Sequence, residues 1–249
     1  MIKMKLTVLG DYGGYPYNNI GTSGYLLTSD DFNLLIDCGS GVMLSLEQVI
    51  DPLKLNAVIL SHYHADHIAD VGVLQYYWQL HDQRYNTDVL PIYGNTADQI
   101  HYNQLDWPNS TEKEPFSADS EIEAGPFTMT FLKTIHPAPA FAIRIKERST
   151  GKILSYTADT RYFDGLIDFV KDSDMLISDT NFFEDVDGEL WHMTSKQSGR
   201  LARLSNSKNL LISHLPQHGS HLELLKQSQK AAGKDIHVEL PEIRRTISI

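Results

Sequence analysis

One cysteine, Cys38, occurs among 249 residues, so no internal disulfide can form and a disulfide-stapled secreted scaffold is excluded. Apolar runs are short, and no stretch approaches the roughly 20 residues that span a bilayer. The N-terminal MIKMKLTVLGDYGG carries Lys3 and Lys5, yet its apolar run breaks at once and makes no signal-peptide core. Positive charge is scarce too. Lys and Arg number 21 against 32 Asp and Glu, a formal net charge of −11, which excludes a broad electrostatic footprint for nucleic acid or an anionic membrane. Gly and Pro are scattered, with no repeat or linker. What remains is a chain of ordinary hydrophobic content, 41%, long enough to bury a sizeable core. We read a single domain over residues 1–249, expected in the cytoplasm and without a membrane partner.

Apolar runs of strand length dominate. MKLTVLG, GYLLTS and NLLIDCG read as early strands, with a Gly-, Tyr- and Asn-rich loop, DYGGYPYNNIGTS, after the first. SLEQVIDPLKLN reads as a helix that stops near Pro52. NAVIL is a short buried strand leading into SHYHADH, Ser61–His67, and IADVGVLQYYWQLHDQ beyond it has helical spacing. The histidines therefore lie in a strand-to-helix turn, and Trp78 belongs to the core. Further strands are expected at FTMTFLKTIHP, FAIRIKE, KILSYTADT, MLISDTN and NLLISHLP; the first, third and last end in His136, Asp159 and His214. Thr194 and Gln197 have capping-box spacing at the start of TSKQSGRLARLSN, and HLELLKQSQKAAGK reads as a helix ending near Gly233. Such an order suggests an α+β chain of packed sheets covered by helices.

Random placement of 11 His and 21 Asp would give H-x-H-x-D-H in such a chain on the order of once in five hundred tries. In an extended or turning segment alternate residues point the same way, so His62 and His64 can face one point. Asp66 and His67 lie past the bend and face a second. Imidazole and carboxylate suit Zn, Fe and Mn. Four residues cannot complete two sites, and His136, Asp159 and His214 are the candidates to supply the rest. Taken singly, each would be a structural histidine or a turn-forming aspartate.

This set resembles the metallo-β-lactamase-fold hydrolases, whose hallmark H-x-H-x-D-H is followed by a separate His, an Asp and a last His on strand ends of a four-layer αββα sandwich. The likeness runs from LLIDCG to SHLP. It implies one metal on His62, His64 and His136, a second on Asp66, His67 and His214, and Asp159 bridging them. It also implies that Asp37 braces the ligand loop by hydrogen bonds. Cys38, with no base evident beside it, reads as a small buried hydrophobe.

Two divalent ions so placed, zinc first with Mn or Fe as alternatives, make hydrolysis the expected reaction. Asp66 is placed to take the proton of the attacking water. A phosphodiester gives up an alkoxide, which benefits from a further general acid; His192, in ELWHMTSKQSGRLA, is the candidate. H-M-T-x-x-Q before a helix, and Asp159 followed by Thr160, resemble ribonuclease Z and related phosphodiesterases. That enzyme's long tRNA-gripping arm lies between the third His and the bridging Asp, where this chain has only 22 residues. The missing arm and the acidic balance argue against long RNA and favour a small or short phosphodiester.

Other features are open. His218 and His221 in LPQHGSH could grip phosphate or be solvated. Tyr12, Tyr15, Tyr17 and Asn18 in the loop after the first strand, and Tyr63 in the hallmark, could stack on a substrate or simply pack. A homodimer is one candidate assembly. Lactone or thioester hydrolysis needs the same ligands, and a non-catalytic metal-binding regulator would share the fold.

Overall fold

The computed structural model describes residues 4–249; residues 1–3, part of the stretch weighed above as a signal peptide, lie outside them. The first half of the chain supplies β1 (Lys5–Tyr12), β2 (Gly21–Thr22), β3 (Gly24–Ser29), β4 (Phe32–Ile36), β5 (Ala57–Ile59), β6 (Leu90–Asn95) and β7 (Thr111–Phe116). The second supplies β8 (Glu121–Ala124), β9 (Phe127–Lys133), β10 (Phe141–Glu147), β11 (Ile153–Tyr156), β12 (Met175–Asp179), β13 (Asn209–Ser213) and β14 (His237–Glu239). A last strand, β15 (Thr246–Ser248), returns to pair antiparallel with β1. Among the described residues the strands form two sheets, ordered β15-β1-β3-β4-β5-β6-β7, with β2 beside β1, and β14-β13-β12-β11-β10-β9-β8. The helices are α1 (Val42–Leu46), α2 (Ala65–Ile68), α3 (Val71–Gln79), α4 (Gln99–Asn103), α5 (Gly165–Phe169), α6 (Ser195–Leu204) and α7 (His221–Ala232).

Alternation along the strands sorts their side chains into layers. Leu34, Ile36, Ile177 and Leu211 point between the sheets and pack with Tyr25, Phe127, Phe131 and Tyr156. Their neighbours Leu35 and Val58 point outward onto Val42, Leu46, Leu74 and Trp78 of α1 and α3. On the far side, Leu176, Leu210 and Ile212 meet Leu166, Leu201 and Leu224 of α5, α6 and α7. The result is the four-layer αββα sandwich, and it explains why NLLIS and MLIS are unbroken apolar runs: both faces are covered.

Two boundaries differ from the sequence expectation. The helix expected over SLEQVIDPLKLN lies mostly ahead of it, as α1 at Val42–Leu46 with Glu47 at its C-cap, and the chain then turns to Asp51, which is held extended at ψ 122° ahead of Pro52; Pro52–Lys54 forms a separate 3-10 turn capped by the Asp51 side chain. Tyr12 is the buried last residue of β1 rather than part of the loop, since Leu215 pairs beside it across the gap between the sheets. The Thr194–Gln197 capping box is present on α6.

Candidate metal centre

Strand direction assembles the site. β4, β5 and β6 run parallel, as do β11, β12 and β13. β1 and β9 are each two antiparallel steps away and run the same way as the parallel sets beside them. The C-terminal ends of these strands therefore share one edge, where α/β sheets expose their ligands. Asp37 follows β4, Ser61–His67 follows β5, His136 follows β9, Asp159 follows β11, Asp179 ends β12 and His214 follows β13. Three of these turns pass through left-handed backbone at residues with a side chain: Asp37 at φ 55°, Ala158 at φ 51° and His214 at φ 54°. Such conformations cost about 1–3 kcal/mol each and persist only where surroundings enforce them.

Potential ligand atoms of His62, His64, His136 and Asp159 lie within 4.8 Å of one another, and so do those of Asp66, His67, Asp159 and His214. Asp159 belongs to both groups. Its Oδ2 is 3.6 Å from His62 Nε2, 3.8 Å from His136 Nε2 and 3.3 Å from His214 Nε2, while Oδ1 is 3.2 Å from His67 Nε2. All seven residues expected from the hallmark thus meet, in the two groups anticipated.

The outer nitrogens of His67, His62 and His136 face partners away from the centre, whereas His214 Nδ1 is buried without one, 3.6 Å from Asp179 Oδ1. His67 Nδ1 donates to Asp37 Oδ2 at 2.7 Å. Asp37 also accepts from Ser61 N at 2.7 Å, Ser61 Oγ at 2.8 Å and the Tyr156 hydroxyl at 3.0 Å. With its hydroxyl proton on Asp37, Ser61 Oγ accepts from His62 Nδ1 at 3.1 Å. His136 Nδ1 faces the Trp191 carbonyl at 3.4 Å. Gly14 N donates to Asp66 Oδ2 at 2.7 Å. Each of the ring bonds leaves an unprotonated nitrogen aimed inward, and Gly14 N holds the same Asp66 Oδ2 that lies 3.1 Å from His214 Nε2.

The site fits a cation. His62 Nε2, His67 Nε2 and Asp159 Oδ1 are fully buried and lack a hydrogen-bond partner, although buried polar groups normally have one. Burial works against charge on Asp159, yet the charges of His214, His67 and His62 hold it well below the usual carboxylate range. Burial likewise opposes charge on His214, but the Asp159 carboxylate, the nearby Asp179 carboxylate 3.6 Å away and the hydrogen bond to Asp66 raise it to about 10. Buried carboxylates thus make a field that favours positive charge at this point.

His192 and Asp179 extend the cluster. His192 Nδ1 donates to Asp179 Oδ2 at 2.9 Å, which also accepts from Thr160 N at 3.0 Å. The His192 ring stacks on His214 with centroids 4.8 Å apart. Burial lowers the His192 pKa, but the Asp179 charge and hydrogen bond outweigh it, so the imidazole is held above its ordinary value. Asp179 was not singled out by sequence, though it ends an apolar strand as Asp37 and Asp159 nearly do. Ser61, Tyr156, Gly13 and Gly14 were missed as well. A Cβ at Gly13 would lie 2.5 Å from His214 Cε1, so glycine is required there.

Several of the weighed residues make local packing or hydrogen-bond contacts. Tyr63 donates to the Asn95 carbonyl at 2.8 Å and stacks on His101. Tyr12 packs edge-on to Tyr17. His221 bonds the Pro216 carbonyl at 2.7 Å, and His218 rests against Tyr17. Cys38 and Trp78 are fully buried. No helix among the described residues is long and apolar enough to cross a membrane.

The family model described as the beta-lactamase superfamily domain matches residues 32–215. The chain belongs to that superfamily and has the metallo-β-lactamase fold. Among its relatives is the "Probable metallo-hydrolase YhfI" of Bacillus subtilis, 44% identical over 94% of this chain and 96% of its own. The crystal structure of YhfI superposes with a TM-score of 0.93 over 100% of both chains, at 42% identity. Human tRNase Z, short form, superposes at 0.75 over 99% of both chains with 19% identity. A diphosphatase from the PhnP family superposes at 0.74, covering 99% of this chain and 98% of its own, with 17% identity. Those two likenesses show the fold.

Proposed function

We propose that the chain is a dinuclear phosphodiesterase for a small or short phosphodiester, with zinc the favoured ion and Mn or Fe as substitutes. His62, His64, His136 and Asp159 would hold one ion, and Asp66, His67, Asp159 and His214 the other. When bound, the ions would lower the pKa of a shared water and stabilise charge on the attacking and departing oxygens.

The observation that carries the phosphodiester reading is the His192–Asp179 pair beside the two groups. With Nδ1 committed to Asp179, the other ring nitrogen is the one that faces substrate, and the buried carboxylate favours the protonated ring. A proton given from there suits an alkoxide leaving group, whereas a thiolate leaves without help. Asp66, steadied by Gly14 N, takes the proton of the attacking water. Between His136 and Asp159 stands only the short β10–β11 hairpin, which supports a small substrate over long RNA.

The test compares two substrates on zinc- or manganese-loaded protein. A dinucleoside phosphate expels an alkoxide; bis(p-nitrophenyl) phosphate expels a phenolate that needs little protonation. His192→Ala should lower turnover on the first by about 10²–10⁴-fold, far less on the second, with metal content unchanged. Equal loss on both removes the acid role. Turnover only of a lactone or thioester run alongside removes the phosphodiester reading.

A further inference from the structure

A cavity of about 1180 Å³ is lined by the end of β1, residues 16–21, residues 40–47, Asp70 and Val73 at the start of α3, and residues 241–244. None of the seven candidate ligands, nor Asp179 or His192, lines it. Its walls include Leu9, Met43, Leu44, Val73 and Ile243. Its charged residues are Asp11, Glu47, Asp70 and Glu242 against Arg244.

Two polar side chains there have nothing to bond. Asp11 is 5% exposed and its Oδ1 has no partner; Ser45 is 8% exposed and its Oγ has none. Around Asp11 burial acts against the charge, and only its own backbone N–H opposes that, with no cation contributing. The Asp70 carboxylate is partly used, accepting from Met43 N at 3.0 Å. A desolvated carboxylate without a partner costs stability, and protein sequences retain such costs where a site needs them. The burial lifts the Asp11 carboxyl to about 7, so a bound cation would also hold it ionised.

We propose that this cavity is a second binding site, separate from the metal centre, for a small organic cation: a protonated amine, amidine or guanidine on an apolar body. The cation's N–H groups meet the Asp11 and Asp70 carboxylates, and the body lies against Leu9, Met43 and Val73. An anionic or neutral apolar ligand would leave Asp11 unpaired and gain nothing from the acidic lining.

The probes are benzamidine, agmatine and the neutral isostere benzamide, titrated calorimetrically into zinc-loaded full-length protein. At least one cation should bind saturably, one to one, with Kd between roughly micromolar and millimolar, and benzamide about tenfold or more weaker. Asp11→Asn should weaken the cation about tenfold or more, Val73→Trp should block it, and His192→Ala should leave it unchanged. Val73 is 53% exposed on α3, so its replacement keeps the test decisive even where Asp11→Asn fails to fold. Absence of saturable binding by either cation, equal binding of benzamide, or binding that survives Val73→Trp overturns the proposal.

Discussion

Asp37→Asn tests the metal centre without touching a proposed ligand. The Asp37 carboxylate accepts four hydrogen bonds, from Ser61 N, Ser61 Oγ, His67 Nδ1 and the Tyr156 hydroxyl. An asparagine would keep one acceptor, toward Ser61 N, and present an NH2 group where the other three donors point. His67 could answer by moving its proton from Nδ1 to Nε2, which puts a hydrogen between His67 and Asp159, on the atom proposed to bind metal. Replacing an outer-shell partner typically costs 10–100-fold in metal affinity, about 1.4–2.8 kcal/mol. The mismatched buried donors should cost a further 1–3 kcal/mol or so of metal-free stability. Tyr156→Phe is the control: it removes one of the four bonds, leaves the His67 tautomer alone, and should lose about 1 kcal/mol of stability with metal affinity near wild type. Zinc affinity by competition with a chelating dye, and urea unfolding in EDTA, read the two effects separately. Zinc binding by Asp37→Asn within about threefold of wild type, against the expected 10–100-fold, would refute the tautomer reasoning.

Asp179→Asn and His192→Ala should act on one step, so the double variant should lose little more turnover than His192→Ala alone, a non-additivity read from a double-mutant cycle. Asp11 gives a pH prediction. An aspartate titrates near 3.9 in an unfolded chain and Asp11 near 7 in the folded one, so stability from its neutral form is complete below about pH 4 and lost as pH rises to about 7. With no ligand added, Asp11→Asn should therefore gain on wild type between pH 5 and 8, by up to about 2–4 kcal/mol in urea unfolding; a constant difference would show that Asp11 does not titrate in this range. Gly13→Ala would set its Cβ 2.5 Å from His214 Cε1. It should lower bound zinc on elemental analysis, through the second group, with about 1–3 kcal/mol of overpacking strain; full zinc content would refute that.

Much of the fold could be read in order along the chain because its signals are local. NLLID, MLISD and NLLIS are strand-length apolar runs, and both of their faces prove to be covered. Thr194 and Gln197 lie one turn apart and cap α6 as their spacing implied. The end of β1 was not legible because part of its pairing is remote: Tyr12 sits beside Thr22 and beside Leu215, far along the chain.

The amino-acid order alone determined which side chains could form the centre, since H-x-H-x-D-H and histidines and aspartates just past apolar strands are properties of short segments. Tertiary structure decided which of them carry a partner that fixes their tautomer. Asp37 meets Tyr156 across the two sheets, Asp179 meets a histidine from the loop before α6, and Gly14 meets Asp66. Parallel strand direction brings those ends to one edge. No periodicity within a segment encodes which loop will stand opposite it there, because hydrogen-bond partners depend on the register of strands distant in sequence.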